Sequence, residues 1–470
     1  MLPVVLALVA VAAGIGAVAA TREPEPSPVS SELVPVTPVL SARRVPELLA
    51  APVADRHLGA ELSAWLGSSP AASCLVVQDG GRDVFGHNPT LPVTGASTQK
   101  LLTATGLLLA LGPDATFATK AVATAEPEGG VVAGDLYLVG GGDAALGQAA
   151  WAALQPPTRP KVVHDIDALA TSIAAAGITQ VQGSIVGDGS RYDDQFYQPS
   201  LAPRLIDQDQ IGPVDGLMVN DGFAGFSPDQ SVSSTAPAPD PSAEAARVLS
   251  DLLAAHGVTV AGPPRSGVAP ENATTVAELE SPPVSTVVGE MLANSDNETA
   301  ESAMKEIGLA TSDQGTFAAG AEGLSRLLSD AGVPLDGVQV VDGTGLTTAD
   351  SLTCAALVGV LTRPETGPVL RDGLAVAGQT GTLAMRWRDT PVAGRLRAKT
   401  GTLRNVTALA GEVQPLPGGT LDFAYVANVP DPATVTADDV DIDSLPDILI
   451  GYGEGIDLAA LSPLPAAPAG

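Results

Sequence analysis

The stretch GASTQKLLTATGLLLALG, residues 95–112, holds a serine and a lysine three positions apart, Ser97 and Lys100, where an apolar periodic segment begins. Serine is common at a helix start, and a lysine in the first turn usually faces water. The same S-x-x-K spacing recurs in SAMK, from Ser302 to Lys305. The spacing alone therefore does not separate a catalytic pair from an ordinary helix start, and the rest of the chain has to decide.

The composition excludes some classes of function. With 470 residues the chain is long enough for two or three domains, and because aromatic residues make up only 3%, Ala, Val and Leu must fill the core. The net charge of -30 disfavours nucleic acid as a partner, since its phosphates would be repelled. The four histidines are isolated and the two cysteines form no metal-ligand pattern, so we expect neither a metal nor a cofactor.

The first 20 residues, MLPVVLALVAVAAGIGAVAA, form an apolar run with no charged side chain before Arg22. This length suits a membrane anchor and is rather long for the core of a signal peptide, although the AVAA end is typical of a cleavage site. The Pro/Ser/Glu-rich stretch that follows suits an extended linker. We therefore expect an extracytoplasmic protein of the cell envelope, tethered to the plasma membrane or secreted. In an oxidising compartment Cys74 and Cys354 could pair, which two residues alone leave open.

Local patterns predict the order of strands and helices. SCLVVQDGGRDVFGHNP, from residue 73, indicates two strands around the turn DGG, and the helix of Ser97 follows. From residue 125 to 283, short apolar runs broken by Gly and Asp alternate with two helical stretches that end in glycine, which indicates an inserted, strand-rich region. Residues 285–308 indicate two helices broken at NSDN, and residues 394–429 indicate strands with a turn at PLPGG.

Three short motifs follow one another along the chain: S-T-Q-K at residues 97–100, S-D-N at residues 295–297 and K-T-G-T at residues 399–402. This trio is typical of β-lactamases and penicillin-binding proteins. Each motif is weak alone, and T-G-T occurs a second time, without a lysine, at residues 380–382. Their contexts agree, because the first motif is predicted to open a helix, the second to lie on a break between helices and the third to lie on a strand.

These residue types suit acyl transfer at a serine. The Ser97 hydroxyl must lose its proton as it attacks, and the sequence holds neither a G-x-S-x-G elbow nor a plausible Ser-His-Asp set. Lys100, one helical turn further on, is therefore the expected base, because burial and the nearby cation of Lys399 would lower its pKa. We expect Ser295 to relay a proton to the leaving nitrogen and Asn297 to hold the substrate amide.

The third motif is expected to bind the substrate. Lys399 can bind a terminal carboxylate, and Thr400 can add a hydroxyl contact. The strand edge at Gly401 and Thr402 lies beside the helix start in this interpretation, so the backbone N–H groups of Ser97 and Thr402 are the expected donors to the oxyanion.

The trio, its order and the long insertion together resemble the D-alanyl-D-alanine carboxypeptidase/endopeptidase family, the class C low-molecular-mass penicillin-binding proteins of peptidase family S13. The resemblance runs from about residue 74 to residue 429 and includes GDLYLVGGGDAALG, DGTGLTTADSLT and VAGQTGTL followed by GRLRAKTGTL. It implies an α+β fold, the transpeptidase fold of penicillin-binding proteins and serine β-lactamases, in which helices flank an antiparallel sheet. The separation of Ser97 from Ser295 fits the family's inserted domains and is far too long for a β-lactamase.

The resemblance divides the chain into six predicted segments. They are a membrane anchor or signal segment (1–20), a Pro-rich linker (21–43), the first part of the transpeptidase domain (44–124), inserted accessory domains (125–283), the second part of the transpeptidase domain (284–455) and an Ala/Pro tail (456–470).

The implied activity is that of a serine D-Ala-D-Ala carboxypeptidase/endopeptidase, which cleaves peptidoglycan stem peptides and cross-links through an acyl-serine and is inhibited covalently by β-lactams. A β-lactamase-like hydrolase and a catalytically inactive cell-wall-binding module are the alternatives, and the intact trio disfavours the second. Family members often carry an arginine where Thr348 stands, which puts the recognition of the stem peptide's diamino acid in question. Asp188 resembles an aspartate that approaches this side chain, and a turn residue is an equal alternative for it.

Overall fold

The computed structural model of the protein describes residue 41 and residues 47–226, 236–430 and 439–457. Over these residues the helices, numbered in chain order, are α1 (Glu47–Leu66), α2 (Gln99–Leu111), α3 (Ala149–Ala152), α4 (Asp167–Ala175), α5 (Pro203–Asp207), α6 (Pro241–Ala255), α7 (Val284–Asn294), α8 (Asn297–Ser312), α9 (Phe317–Asp330), α10 (Cys354–Leu361), α11 (Gly367–Asp372) and α12 (Leu445–Ile450).

The strands are β1 (Ala72–Asp79), β2 (Arg82–His87), β3 (Ala118–Ala123), β4 (Val131–Val132), β5 (Leu136–Val139), β6 (Leu146–Gly147), β7 (His164–Asp165), β8 (Gln180–Val181), β9 (Ile185–Asp188), β10 (Phe223–Ala224), β11 (Ala236–Pro237), β12 (Thr259–Val260), β13 (Arg265–Ser266), β14 (Thr274–Glu280), β15 (Ala375–Val376), β16 (Leu396–Leu403), β17 (Val406–Val413) and β18 (Leu421–Asn428).

A six-stranded antiparallel sheet, in the order β15-β16-β17-β18-β1-β2, forms the centre of the molecule. Its inner strands carry apolar residues at consecutive positions. Because successive side chains point to opposite sides, both faces of the sheet are apolar. Cys74 and Val76 of β1 pack with α2 and α7 to α10 on one face, while Leu75 and Val77 pack with α1 and α12 on the other. The predicted antiparallel sheet with helices on both sides is confirmed.

The chain between α2 and α7 builds separate small sheets. The largest has five strands in the order β13-β9-β5-β3-β14, and a parallel set of three has the order β12-β8-β4. The two glycine-ended helical stretches expected here are α4 and α6, which pack on these sheets around Leu169 and Leu249. β3 joins the five-stranded sheet although it precedes residue 125, the predicted start of the insertion, and the domain bounds themselves stay predictions.

Two further features bear on expectations from the sequence. Cys74 of β1 and Cys354 at the start of α10 form a disulfide, with their Cα atoms 5.9 Å apart, so the pairing that the sequence leaves open is present.

No helix among the described residues has the length and apolar character needed to cross a membrane. The predicted anchor, residues 1–20, and the Ala/Pro tail from residue 458 onward lie outside the described residues.

Candidate active site

The first motif lies where the chain enters α2. A short 3-10 helix, Ala96–Thr98, precedes α2, and Ala96 adopts a left-handed backbone with φ of 46°. Lys100 Nζ donates to Ser97 Oγ at 3.2 Å, because residues three apart share one face of the helix. The lysine side chain is fully buried, whereas Ser97 is half-buried and accessible to a substrate.

The environment of Lys100 favours its neutral form. Burial lowers the pKa of Lys100 to about 8, and the charge of Asp342 only partly offsets this effect. The same Nζ atom donates to Asn297 Oδ1 at 2.7 Å and to the Thr344 carbonyl at 3.1 Å. These two acceptors hold the amine, and in its neutral form it is suited to take a proton from the Ser97 hydroxyl.

The Thr344 carbonyl faces Lys100 because Asp342 organises the loop that carries it. The Asp342 carboxylate accepts hydrogen bonds from the N–H groups of Thr344 and Thr347, each at 2.9 Å, and from the Thr344 hydroxyl at 3.1 Å. Both of its oxygens are engaged in this turn. These contacts give Asp342 a structural role in the turn.

The second motif lies at the break between α7 and α8, as the sequence predicts. Ser295 ends α7 in a left-handed conformation with φ of 65°, and the Asp296 carboxylate caps α8 by accepting the Thr299 N–H at 2.7 Å. Asn297 begins α8, and its Nδ2 atom donates to the Gln210 carbonyl at 2.6 Å. The side-chain oxygen of Asn297 is thereby left facing Lys100.

The third motif lies on β16, next to the sheet edge. Lys399 Nζ donates to Ser295 Oγ at 2.9 Å and to the Thr400 carbonyl at 2.8 Å. Lys399 is fully buried, and burial, followed by the nearby cations Lys100 and Arg159, holds its pKa well below the usual value. Across the described ranges no carboxylate lies at ion-pair distance from Lys399. A carboxylate brought by a ligand would supply the missing counter-charge.

Gly401 lets β16 approach the start of α2. A Cβ atom at this position would lie 2.6 Å from the Gly95 carbonyl oxygen, so only glycine fits. Thr400 Oγ1 donates to Thr382 Oγ1 at 3.2 Å, which places the second T-G-T beside the third motif. Thr402 is exposed on the same strand. The assignment of the Ser97 and Thr402 N–H groups to the oxyanion stays a prediction.

The structure thus brings Ser97, Lys100, Ser295, Asn297 and Lys399 together, but Asp188 makes no hydrogen bond to any of them. Asp188 ends β9, and its two oxygens accept the N–H groups of Ser190 at 2.9 Å and Ala269 at 2.7 Å. It lines a separate cavity of about 280 Å³ in the inserted region. Its part in substrate binding stays a prediction.

The sequence did not point to three residues of the inserted region that reach this site. Lys161 forms an ion pair with Asp296, Gln210 holds Asn297, and Arg159 lies close enough to Lys399 to lower its pKa. None of them lies in a recognisable motif, and only the packing of the insertion against α7 and α8 reveals them.

In the described part of the chain, no group of His, Cys, Asp and Glu side chains could hold a metal ion.

Comparisons with known proteins identify the family of the chain. The family model described as the D-Ala-D-Ala carboxypeptidase 3 (S13) family matches residues 66–236 and 227–445. The carboxypeptidase DacB of Mycolicibacterium smegmatis is 31% identical, over 97% of this chain and 96% of the relative. The D-alanyl-D-alanine carboxypeptidase of Actinomadura sp. is 28% identical, over 76% of this chain and 78% of the relative.

A solved structure, penicillin binding protein 4 from Haemophilus influenzae, has the same fold. It superposes with a TM-score of 0.65 at 17% identity, covering 85% of this chain and 99% of that chain. At this identity the likeness shows the fold alone, and it confirms the predicted α+β transpeptidase fold.

Proposed function

The chain belongs to the D-Ala-D-Ala carboxypeptidase 3 (S13) family and is a penicillin-binding serine D-Ala-D-Ala carboxypeptidase/endopeptidase, and on that premise we propose that Ser97 is its nucleophile and peptidoglycan stem peptides are its substrates. The main observation in support is that each motif lysine donates a hydrogen bond to one motif serine, Lys100 to Ser97 and Lys399 to Ser295. This arrangement separates activation of the nucleophile from protonation of the leaving group.

Acylation begins at the peptide bond between two D-alanine residues. The Ser97 oxygen attacks the carbonyl carbon while its proton passes to neutral Lys100, and the backbone N–H groups of Ser97 and Thr402 stabilise the oxyanion. Because Lys399 donates to the Ser295 oxygen, the Ser295 hydroxyl proton is free to point at the leaving nitrogen. The proton reaches this nitrogen through Ser295, the C–N bond breaks, and D-alanine departs as an amine.

Deacylation follows the same path in reverse with water as the nucleophile. Water attacks the acyl carbon, gives its proton to Lys100 and releases the shortened peptide, while the proton returns to the Ser97 oxygen. The buried Lys399 and the Thr400 hydroxyl bind the terminal carboxylate of a carboxypeptidase substrate. β-Lactams acylate Ser97 in place of the peptide, and a β-lactam complex is known for a protein of the same fold, penicillin binding protein 4 from Haemophilus influenzae.

The proposed location is outside the cytoplasm, in the cell envelope, where peptidoglycan lies. The apolar first 20 residues and the Pro-rich linker support a tether to the plasma membrane or secretion. The disulfide between Cys74 and Cys354 supports an oxidising compartment.

Two measurements test the proposed activity. Intact-mass analysis after incubation with labelled penicillin should show one covalent adduct, and a stem-peptide mimic ending in D-Ala-D-Ala should release D-alanine. No adduct would leave the inactive cell-wall-binding module as the explanation. Fast penicillin hydrolysis with no release of D-alanine would instead favour a β-lactamase-like hydrolase.

A further inference from the structure

One lysine and several carboxylates are buried together around Asp296 of the S-D-N motif. The proposed acylation and deacylation steps use none of them. Lys161 of the inserted region lies with its Nζ atom 2.8 Å from Asp221 Oδ1 and 4.0 Å from Glu290 Oε2, and it forms an ion pair with Asp296. The side chains of Lys161 and Asp296 are only 9% and 6% exposed. Glu298 of α8 faces the same cluster and accepts the Gly212 N–H at 2.7 Å.

Lys161 supplies one positive charge to this cluster of carboxylates. Within the described part of the chain it is the one cation at ion-pair distance from these carboxylates. Burial alone would lower the pKa of Lys161, but the charges of Asp221 and Asp296 raise it well above the usual value. Burial would raise the pKa of Asp296, and Lys161 more than offsets this, so the pKa of Asp296 is lowered. The Lys161–Asp296 pair is therefore ionised. Removing one partner of a buried ion pair leaves an unpaired buried charge, which strongly destabilises the protein.

Asp296 connects this pair to the reacting groups. One of its oxygens accepts the Thr299 N–H, and the other bonds Lys161. Ser295, on one side of it, holds the left-handed turn and contacts Lys399, while Asn297, on the other side, contacts Lys100. The direction of the Asp296 side chain thus fixes the turn, and with it the orientation of Ser295 and Asn297.

The segment that carries Lys161 is attached to both sides of the site. The Gly381 N–H donates to the Thr158 carbonyl at 2.7 Å, and Asn294 Nδ2 donates to the Pro160 carbonyl at 2.9 Å. Gly381 belongs to the second T-G-T, beside β16, and Asn294 is the last residue of α7. The main chain before Lys161 is therefore hydrogen-bonded to the second T-G-T and to the end of α7, which adjoin the third and the second motif.

We propose that Lys161 is a positioning residue for acylation: through its buried ion pair with Asp296 it holds Ser295 and Asn297 in the geometry that Lys399 and Lys100 require. The inference rests on the proposed function. It makes the inserted region a part of the active site and not merely an appendage of the transpeptidase domain.

The first variant to measure in the full chain is Lys161→Met, which keeps an unbranched side chain of similar length and removes the charge. The rate of Ser97 acylation by penicillin should fall about 100-fold, the loss typical of a reacting group that is slightly misplaced. The pH profile should also change. Without Lys161 the pKa of Asp296 rises, so acylation by the variant should decline as pH rises through that pKa and an unpaired carboxylate appears, whereas the wild-type protein lacks this decline.

A second variant, Lys161→Met/Asp296→Asn, tests the pair itself. Asparagine caps a helix about as well as aspartate, so the Thr299 N–H keeps its acceptor while the unpaired charge is removed. Acylation should recover about tenfold relative to Lys161→Met, a coupling typical of residues in direct contact. If Lys161→Met fails to fold, the double variant is compared with the wild-type protein, and its acylation should be about tenfold slower. A folded double variant with no acylation would overturn the proposal.

Lys305→Met is the matched control. Lys305 is also fully buried and also ties the inserted region to α8, with its Nζ atom 2.7 Å from Asp193 Oδ1, but it contacts no motif residue. Its loss should lower the thermal midpoint and leave the acylation rate of the folded protein within about threefold. An equal slowing in Lys305→Met, unchanged acylation in Lys161→Met, or no recovery in the double variant would overturn the proposal. Absence of acylation in the wild-type protein would instead refute the proposed function.

Discussion

The Nζ atom of Lys399 lies 2.9 Å from the Oγ atom of Ser295, so the third motif contacts the second directly in the free protein. Lys100 makes the equivalent contact with Ser97 at 3.2 Å. The two lysines are buried and close enough for Lys100 to lower the pKa of Lys399. Each of these serines thus accepts a hydrogen bond from one buried amine.

Ser97 should be the sole site of acylation, although Ser302 stands in the same S-x-x-K spacing. Ser302 is buried in α8, only 3% exposed, and its hydroxyl cannot reach a substrate. Intact-mass analysis after penicillin treatment should show one adduct, which Ser97→Ala abolishes and Ser302→Ala retains. An adduct that persists in Ser97→Ala would refute the assignment of the nucleophile.

The rate of acylation should rise with pH through about 8, because burial lowers the pKa of Lys100 to about 8 and only the neutral amine accepts the Ser97 proton. Below this pKa the lysine is protonated and acylation is slow; above it a further rise in pH brings no additional gain from Lys100. Lys100→Arg cannot deprotonate in this range and should lose roughly 100-fold to 10,000-fold in rate, the usual contribution of a general base. A rate that is independent of pH between 6 and 10, measured as kcat/KM for a peptide mimic, would contradict the role of Lys100.

Lys399→Ala should slow acylation by ligands that carry the terminal carboxylate, by roughly 2–4 kcal/mol of transition-state stabilisation for a lost charged contact. A carboxylate-free acyl donor should lose less. Equal losses with both kinds of donor would show that Lys399 does not read the carboxylate.

Binding of the carboxylate should also take up protons in the wild-type protein. Burial and the nearby cations disfavour the charged form of Lys399 and lower its pKa, and a bound anion raises this pKa. Calorimetry of a carboxylate ligand in two buffers of different ionisation enthalpy measures this uptake. Lys399→Ala serves as its control.

The penicillin adduct should last at least minutes. Class A β-lactamases use a glutamate to activate the deacylating water, and here no glutamate occurs between Glu322 and Glu365. Asp330 and Asp336 in this interval are exposed, Asp342 is engaged by its own loop, and Asp350 accepts the N–H groups of Val341 and Asp342. The bulky penicilloyl group should therefore persist while a peptide acyl-enzyme, freed of its small D-alanine, turns over. Rapid loss of the adduct, followed by mass against time, would contradict this account.

The disulfide should contribute about 2–4 kcal/mol to the free energy of unfolding, because it closes a loop with a sequence separation of 280 residues. The double variant Cys74→Ala/Cys354→Ala should lower the free energy of unfolding by this amount, seen as a lower denaturation midpoint, and it should retain acylation because neither cysteine belongs to a motif. An unchanged midpoint would show that the cross-link adds nothing to stability.

Local sequence patterns predicted the elements that carry the motifs. The turn DGG between β1 and β2, the break at Ser295 and the paired strands β16 to β18 each have a short signal that lies within one segment of chain. Lys161 and Gln210 have no such signal, because an ion pair or a carbonyl contact to a distant helix depends on how the insertion packs. The pairing of β3 with β14 was missed for the same reason.

The register of the central sheet has a consequence for how the protein is made. β1, near the start of the folded chain, pairs along its length with β18, from Ala72 opposite Asn428 to Asp79 opposite Leu421. Such a distant partner delays closure of the sheet, since most of the chain must be present before the two strands meet. The second and third motifs also follow the insertion. A copy that ends before residue 295 consequently lacks four of the six strands of the central sheet and two of the three motifs, so acylation of Ser97 requires the chain on both sides of the insertion.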